Sequence, residues 1–301
     1  MKNNKTIIIT GAQGQDGLIL SQILLDKGYK VLGIIHKRKS HKIRNVKYYK
    51  IDLTKYTQVK NFIKKTNPSQ IIHFGSKNPS FGEKIGFYKK NFLQTKNLID
   101  SILEIDKKII FIFPNSSFIF KKKKIVSEKD KYKITTSYTK FRIKISQYMK
   151  YLYDEKKFRF CNLILFNHDS VYRRKSFLIP RLIKFAKKEK INNLKKIFKE
   201  NIIIDFSHAY DICFAIYLII KKNITINNLI LSSGKKTKVN DIINYILIKY
   251  YNKKKINIPV KKKVTYMIGK NSLAKRILGW KHKKNIFIAI DDIMKNKKLY
   301  D

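Results

Sequence analysis

A turn near the start of the chain constrains its fold more than any other feature. The run Thr6-Ile-Ile-Ile-Thr10 is β-branched throughout and leads directly into Gly11-Ala-Gln-Gly14-Gln-Asp-Gly17. Beyond it Leu18, Leu20, Ile23, Leu24 and Leu25 recur at helical spacing, and Lys27-Gly28 supplies a terminal cation and a glycine stop. A strand buried on both faces, a glycine turn and a helix, in that order, present backbone amides of a helix N-terminus to an anion. Gly11 permits the tight turn, while Gly14 and Gly17 leave room for a pyrophosphate and for close helix–strand packing. An ordinary glycine-rich turn does not require this setting. Gly11, Gln13, Gly14, Gln15, Asp16 and Gly17 are therefore read as a dinucleotide phosphate site.

The same alternation continues down the chain. Apolar patterning predicts strands at 31–35, 46–51, 70–74, 108–113 and 159–166, with helices at 56–66, 88–103 and 137–155. This is the pattern of an α/β chain with a Rossmann-type doubly wound parallel sheet. After 166 the pattern loosens into a helix at 179–189, an apolar run at 201–206, a helix at 208–221, a strand at 228–232 and a helix at 239–251. The expected organisation is a dinucleotide-binding domain over 1–166 and a smaller C-terminal α/β substrate domain over 167–301, partly interleaved with the first.

The end of the second strand selects the dinucleotide. An NAD site of this architecture places an acidic residue there for the ribose hydroxyls, but here the sequence reads Gly33-Ile-Ile-His-Lys37-Arg38-Lys-Ser40. A basic cluster suits a 2′-phosphate, so NADP is the expected cofactor, held by Lys37 and Arg38. Lys37 also fits the chain-wide lysine excess, whereas Arg38 stands out in a chain with eight arginines. Asp52 and Leu53, after the third strand, are placed to meet the adenine, although an Asp there also caps helices.

A net charge of +48 would ordinarily point to nucleic acid. The charge is nearly all lysine and is dispersed along the chain among Ile and Asn, without the clustered arginines of a phosphate-reading face, so no nucleic-acid partner is expected. Cys161 and Cys213 lie in apolar runs and read as reduced core residues. The N-terminus lacks a secretory pattern, and the apolar run 212–220 is far short of the ~20 residues that span a bilayer, so a cytoplasmic location with no membrane partner is expected. Six histidines show no metal-ligand spacing, and no metal is expected.

Several segments together carry a resemblance. Thr10-Gly-x-x-Gly-Gln-Asp-Gly17, Leu165-Phe-Asn-His-Asp-Ser170 with Arg173-Arg174, Asp205-Phe-Ser-His-Ala-Tyr-Asp211 and Leu278-Gly-Trp280 are similar to motifs of the extended short-chain dehydrogenase/reductase superfamily. Within it they resemble the GDP-mannose 4,6-dehydratase family, over nearly the whole chain.

The resemblance implies a catalytic Tyr138, which as tyrosinate takes the proton of the sugar C4 hydroxyl during hydride transfer. It implies Ser116 as the hydroxyl that bonds the same oxygen, with Ser117 beside it. Arg142 stands where the family's Tyr-x-x-x-Lys pattern has lysine. One helical turn from Tyr138, it can favour the tyrosinate and hold the nicotinamide ribose, but it cannot relay a proton. Lys140 faces elsewhere. Asn167 is expected at the sugar or phosphate and Arg173 or Arg174 at the diphosphate. His168 is expected to support its loop, and His208 and Asp211 to cap and pack their helix.

Two departures bear on the reaction. Phe118 occupies the place of the glutamate that acts at C5 and C6 in the dehydratases, and Ile204 the place of an arginine before Asp205. The resemblance thus implies an NADP-dependent enzyme on a GDP-hexose that oxidises or reduces C4, with loss of water if another carboxylate, Glu128 or Asp169, reaches C5. The alternatives are a 4-reductase or epimerase on a GDP-4-keto-6-deoxy sugar, or a catalytically degenerate NADP-binding homologue. It also implies a homo-oligomer.

Overall fold

The computed structural model describes residues 5–36, 41–76, 88–121 and 123–296. The opening β-branched run forms β1 (Thr6–Thr10), whose Ile7, Ile8 and Ile9 are fully buried. The glycine turn leads into α1 (Gln15–Asp26), which buries Leu18, Leu20, Ile23 and Leu24 against the sheet. Then follow β2 (Lys30–Ile35), β3 (Lys47–Lys50), α2 (Tyr56–Thr66), β4 (Gln70–His73), α3 (Tyr88–Ile105), β5 (Ile110–Ser116), α4 (Ser137–Lys156) and β6 (Phe160–Leu165). Ile226–Leu231 returns much later as β7.

These strands form one sheet in the order β7-β6-β5-β4-β1-β2-β3. The pairings from β6 across to β3 are parallel. The strand order reverses between β1 and β4, which puts the ligand crevice of such a sheet beyond their C-terminal ends. The Rossmann-type α/β fold expected from the alternation is thus present. Its core joins Ile8, Leu32, Ile71, Phe111, Phe113 and Phe141, among others. Each such side chain contributes about 1.5–3 kcal/mol when taken fully out of water.

β5 runs past its expected end and includes Pro114. β4 pairs with β5 only as far as Ile112, so beyond that residue β5 is hydrogen-bonded to β6 alone. Proline is tolerated on such a locally open edge. The extension carries the chain out to Ser116.

The chain divides into two compact units, one of 1–121, 131–165 and 213–229, the other of 122–130, 166–212 and 230–301. In the second, a four-stranded sheet is ordered Thr237–Lys238, Ile202–Ile204, Thr265–Gly269, Ile125–Val126, and Asn167–Asp169 pairs in parallel with Phe206–His208. Helices Leu178–Lys187, Ile191–Lys199, Val239–Tyr251 and Ile286–Lys295 pack Ile179, Leu194, Ile242 and Ile290 into its core. Fully buried Asp205 ties its loops together, accepting from Ser233 N (2.8 Å), Ser233 Oγ (2.6 Å), Gly234 N (3.0 Å) and Gly269 N (3.1 Å). Among the described residues no helix is long and apolar enough to cross a membrane.

Candidate active site

The glycine turn is packed as closely as only glycine allows. Gly11 is left-handed (φ 67°), and a Cβ there would lie 2.9 Å from the backbone of Phe74. A Cβ on Gly17 would lie 2.6 Å from the Gly11 carbonyl oxygen, so α1 approaches β1 as closely as only glycine allows. Gly14 precedes α1 with no side-chain cap on the helix N-terminus. Gln13 and Gln15 are buried; Gln13 donates to the His41 carbonyl at 2.9 Å, and Gln15 to Asp16 Oδ1 at 3.1 Å.

A directed hydrogen-bond chain seats this turn against the end of β4. Thr95 Oγ donates to the Asn91 carbonyl (2.7 Å), so at 3.0 Å it accepts from His73 Nε2–H. His73 Nδ1 is then the acceptor for Thr10 Oγ–H (2.7 Å), and Thr10 Oγ accepts from Gly75 N–H (2.9 Å). His73 is fully buried, and burial, with the nearby Arg142 charge adding, pushes its pKa down to about 3. It is a neutral imidazole with a fixed tautomer.

Lys37 and Arg38 lie outside the described residues. Asp52 uses its carboxylate locally, accepting from Thr54 N (3.0 Å) and Thr54 Oγ (2.7 Å); these bonds hold its pKa below the ordinary range. Leu53 is buried in the core of the first unit.

Three residues expected to act on the sugar come from two neighbouring elements. Ser116 ends β5, caps the short 3-10 turn Ser117–Ile119 and accepts from Phe118 N at 3.3 Å. Ser117 is buried, whereas Phe118 is 61% exposed. Tyr138 is the second residue of α4. A reciprocal cap fixes that first turn: Thr136 Oγ accepts from Thr139 N (3.1 Å) while Thr136 N donates to Thr139 Oγ (3.0 Å).

Arg142 follows one turn later and is only 4% exposed. Its guanidinium donates to the Pro114 carbonyl and, at 2.9 Å, to Ser76 Oγ. Its central carbon lies 5.1 Å from the Tyr138 ring centroid and 5.0 Å from that of Phe113. A planar fork can bridge the ends of β4 and β5 in this way; an ammonium offers no such fork. Lys140 lies instead over Tyr88, 5.5 Å from its centroid. Ser76, Pro114 and His73 were not singled out in the sequence. Only the placement of Gly75-Ser76 directly after a strand hinted at them.

In the second unit Asn167 donates to the Asp205 carbonyl at 3.4 Å. Arg173 is paired with Asp169 at 2.6 Å and stacks 3.8 Å from the Phe177 centroid, with Arg174 5.0 Å from the same ring. His168 Nδ1 donates to the Phe166 carbonyl (2.6 Å), within its own loop. His208 Nδ1 accepts from Tyr210 N (2.9 Å), leaving Nε2–H for Asp292 (3.1 Å), and Asp211 accepts from the amides of Lys283 and Lys284, both at 2.6 Å. Glu128 accepts from Ile230 N at 3.1 Å. Both carboxylates named as substitutes for the missing glutamate thus have structural partners.

A family model described as GDP-mannose 4,6 dehydratase matches residues 8–293. The chain belongs to the GDP-mannose 4,6 dehydratase family. It is 25% identical to GDP-mannose 4,6 dehydratase of Dictyostelium discoideum, over 94% of this chain and 92% of that one. It is also 25% identical to GDP-mannose 4,6 dehydratase 2 of Caenorhabditis elegans, over 81% and 70%. Among solved structures it resembles a UDP-glucose-4-epimerase from Stenotrophomonas maltophila with bound NAD and formylated UDP-arabinopyranose (TM-score 0.82, 16% identity, 98% of each chain). A dTDP-glucose 4,6-dehydratase from Bacillus anthracis in complex with NAD is similar in fold (TM-score 0.79, 15% identity, 98% of each chain). This GDP-mannose 4,6 dehydratase family member is thus, as expected, a member of an enzyme family on the epimerase/dehydratase fold, and the resemblance drawn from its motifs holds.

Proposed function

We propose that this chain is an NADP-dependent enzyme of nucleotide-sugar metabolism that reduces C4 of a GDP-4-keto-6-deoxy sugar rather than eliminating water from a GDP-hexose itself. The observation that carries the reading is the grouping of Ser116, Tyr138 and Arg142 on β5 and α4, with an exposed phenyl ring at Phe118. The glycine cradle, into which no Cβ fits at Gly11 or Gly17, suits a dinucleotide pyrophosphate. The basic cluster after β2, with Lys37 and Arg38, supports the choice of NADP.

The nicotinamide supplies or accepts the hydride when bound. Tyr138 gives its phenolic proton to the C4 oxygen in reduction, or as tyrosinate takes it in oxidation. Ser116 donates to the same oxygen and fixes its position. Arg142 lies over the phenol ring, 5.1 Å from its centroid, and holds the ends of β4 and β5. Asn167 and Arg174 are the proposed contacts of the sugar nucleotide, with Arg173 oriented by Asp169.

Loss of water needs a group that takes the C5 proton, and a phenyl ring cannot do so. Glu128 and Asp169 are occupied by Ile230 N and Arg173. These engagements favour a 4-reductase over a dehydratase, and over an epimerase, which also needs a base for the proton beside the keto group. The test follows absorbance at 340 nm with NADPH or NADH and either GDP-mannose or GDP-4-keto-6-deoxymannose. Oxidation of NADPH in preference to NADH, with the keto sugar alone, supports the reading. No change in absorbance, together with no change in the mass or chromatographic position of either sugar nucleotide, would leave a binding protein that has lost its chemistry.

A further inference from the structure

Beneath Ser116 lies a buried polar network that the reaction as drawn does not use. Asn115 on β5 and Asn162 on β6 lie two residues apart in register, on one face of the sheet, and are 4% and 0% exposed. Asn115 Oδ1 accepts from the Ser116 amide at 2.8 Å, and its Nδ2 donates to Ser146 Oγ (2.8 Å) and Asn162 Oδ1 (3.0 Å). Asn162 Nδ2 donates to Ser146 Oγ (3.2 Å) and to Asn228 Oδ1 (2.8 Å), which also receives the Tyr132 hydroxyl (2.6 Å). Ser146 thus accepts two bonds and sends its hydroxyl hydrogen to the Arg142 carbonyl at 2.9 Å.

The arrangement has one solution. Turning the Asn115 carboxamide over would set its NH2 against the Ser116 N–H, donor against donor. Turning Asn162 over would set oxygen against Asn228 Oδ1 and NH2 against the NH2 of Asn115. Every amide hydrogen of the two side chains is used, so neither can rotate without stranding a buried donor, at a cost of about 1–3 kcal/mol. The network runs from the amide of Ser116 to the carbonyl of Arg142, joining the two elements that carry the proposed chemistry.

We propose that Asn115 and Asn162 are positioning residues for the Ser116 hydroxyl. They lock the end of β5 to the turn of α4 that bears Arg142, one turn beyond Tyr138. The inference rests on the C4 reading above. A misplacement near 1 Å costs about 100-fold in rate, so loosening this lock lowers turnover more than binding.

The test compares Asn115→Ser and Asn115→Asp with the unmodified enzyme, using NADPH and GDP-4-keto-6-deoxymannose. Asn115→Ser, which brings no charge into the core, is expected to lower kcat about 10- to 100-fold. KM and the NADPH Kd are expected to stay within about twofold. Asn115→Asp keeps the shape but loses donors. Its kcat, relative to the unmodified enzyme, is expected to recover as pH falls, because a protonated carboxyl regains an O–H for Ser146 or Asn162. A merely structural role predicts lower Tm with kcat per folded molecule unchanged, and that result overturns the proposal, as does a pH-independent ratio for Asn115→Asp.

Hydrogen exchange separates this outcome from failure of the C4 reading. In the unmodified protein the Ser116 amide and both carboxamides are expected to exchange slowly, and fast exchange overturns the network even where turnover is seen. Absence of turnover by the unmodified enzyme, with slow exchange retained, overturns the C4 reading and with it the catalytic purpose assigned to Asn115.

Discussion

Arg142 lies one turn beyond Tyr138 on the same helix, its guanidinium carbon 5.1 Å from the phenol centroid, and the same group bonds the Pro114 carbonyl and the Ser76 hydroxyl. One side chain therefore packs on the tyrosine ring and sets the spacing of two strand ends. Arg142→Met strands two acceptors and is expected to destabilise the protein by about 1.5–3 kcal/mol, read from urea unfolding. Arg142→Lys keeps the charge but loses the fork. It is expected to restore part of the turnover and little of the stability, and equal recovery of both would contradict the bridging role.

Tyr138→Phe removes the proposed proton carrier while leaving the ring under Arg142. Turnover with the keto sugar is expected to fall about 100- to 10,000-fold, with NADPH binding, followed by fluorescence, unchanged. A variant that keeps most of its turnover would move the proton transfer to another group.

His73 should make the fold sensitive to acid. Its pKa in the folded chain, about 3, lies below the ordinary histidine value of 6.5, so between those limits the unfolded state binds the additional proton. Stability from this group is complete above pH 6.5 and is lost as pH falls toward 3, at up to about 1.4 kcal/mol per pH unit. Replacing His73 by Gln removes that slope. The difference in urea midpoint between the two proteins across pH 4–8 isolates it, and parallel curves would contradict a buried neutral imidazole.

Asp205→Asn replaces one carboxylate oxygen by an NH2 group. Oδ2 now receives Gly234 N and Gly269 N, and Oδ1 receives both donors of Ser233. Either orientation of the amide sets donors against donors, at about 1–3 kcal/mol for each stranded group. A clear drop in Tm is expected, and an unchanged Tm would mean that the knot contributes little.

How far the sequence was legible follows from the physics of each part. The first unit could be read because its central strands are buried on both faces and its helices are long, so Thr6–Thr10 and Tyr56–Thr66 stand out from their apolar pattern. The strand Ile226–Leu231 was visible as an apolar run, but its place beside β6 was not, since nothing local encodes a return across 60 residues. Strands of two or three residues, such as Ile125–Val126 and Asn167–Asp169, are too short to show a period. The helix Ile191–Lys199 was missed beside its neighbour because lysines fill the break between them.

At the site, the glycine turn and Tyr138 could be found from spacing. The supporting residues could not. Asn162, a lone amide inside the apolar run Phe160–Leu165, was the one signal that a polar partner was buried nearby, while nothing in the sequence marked Asn115 as its partner. Cys161 and Cys213 are free and buried, as their apolar surroundings implied.

The central claim is hydride transfer at C4 without elimination of water. The most direct test is the product mass after incubation of the purified enzyme and NADP(H) with GDP-mannose and, separately, with GDP-4-keto-6-deoxymannose. The account predicts that GDP-mannose loses no water, while the keto sugar gains the mass of two hydrogens as NADPH is oxidised. Conversion of GDP-mannose to a product lighter by one water would contradict it, and would show that a group other than Phe118 does the work of the missing glutamate.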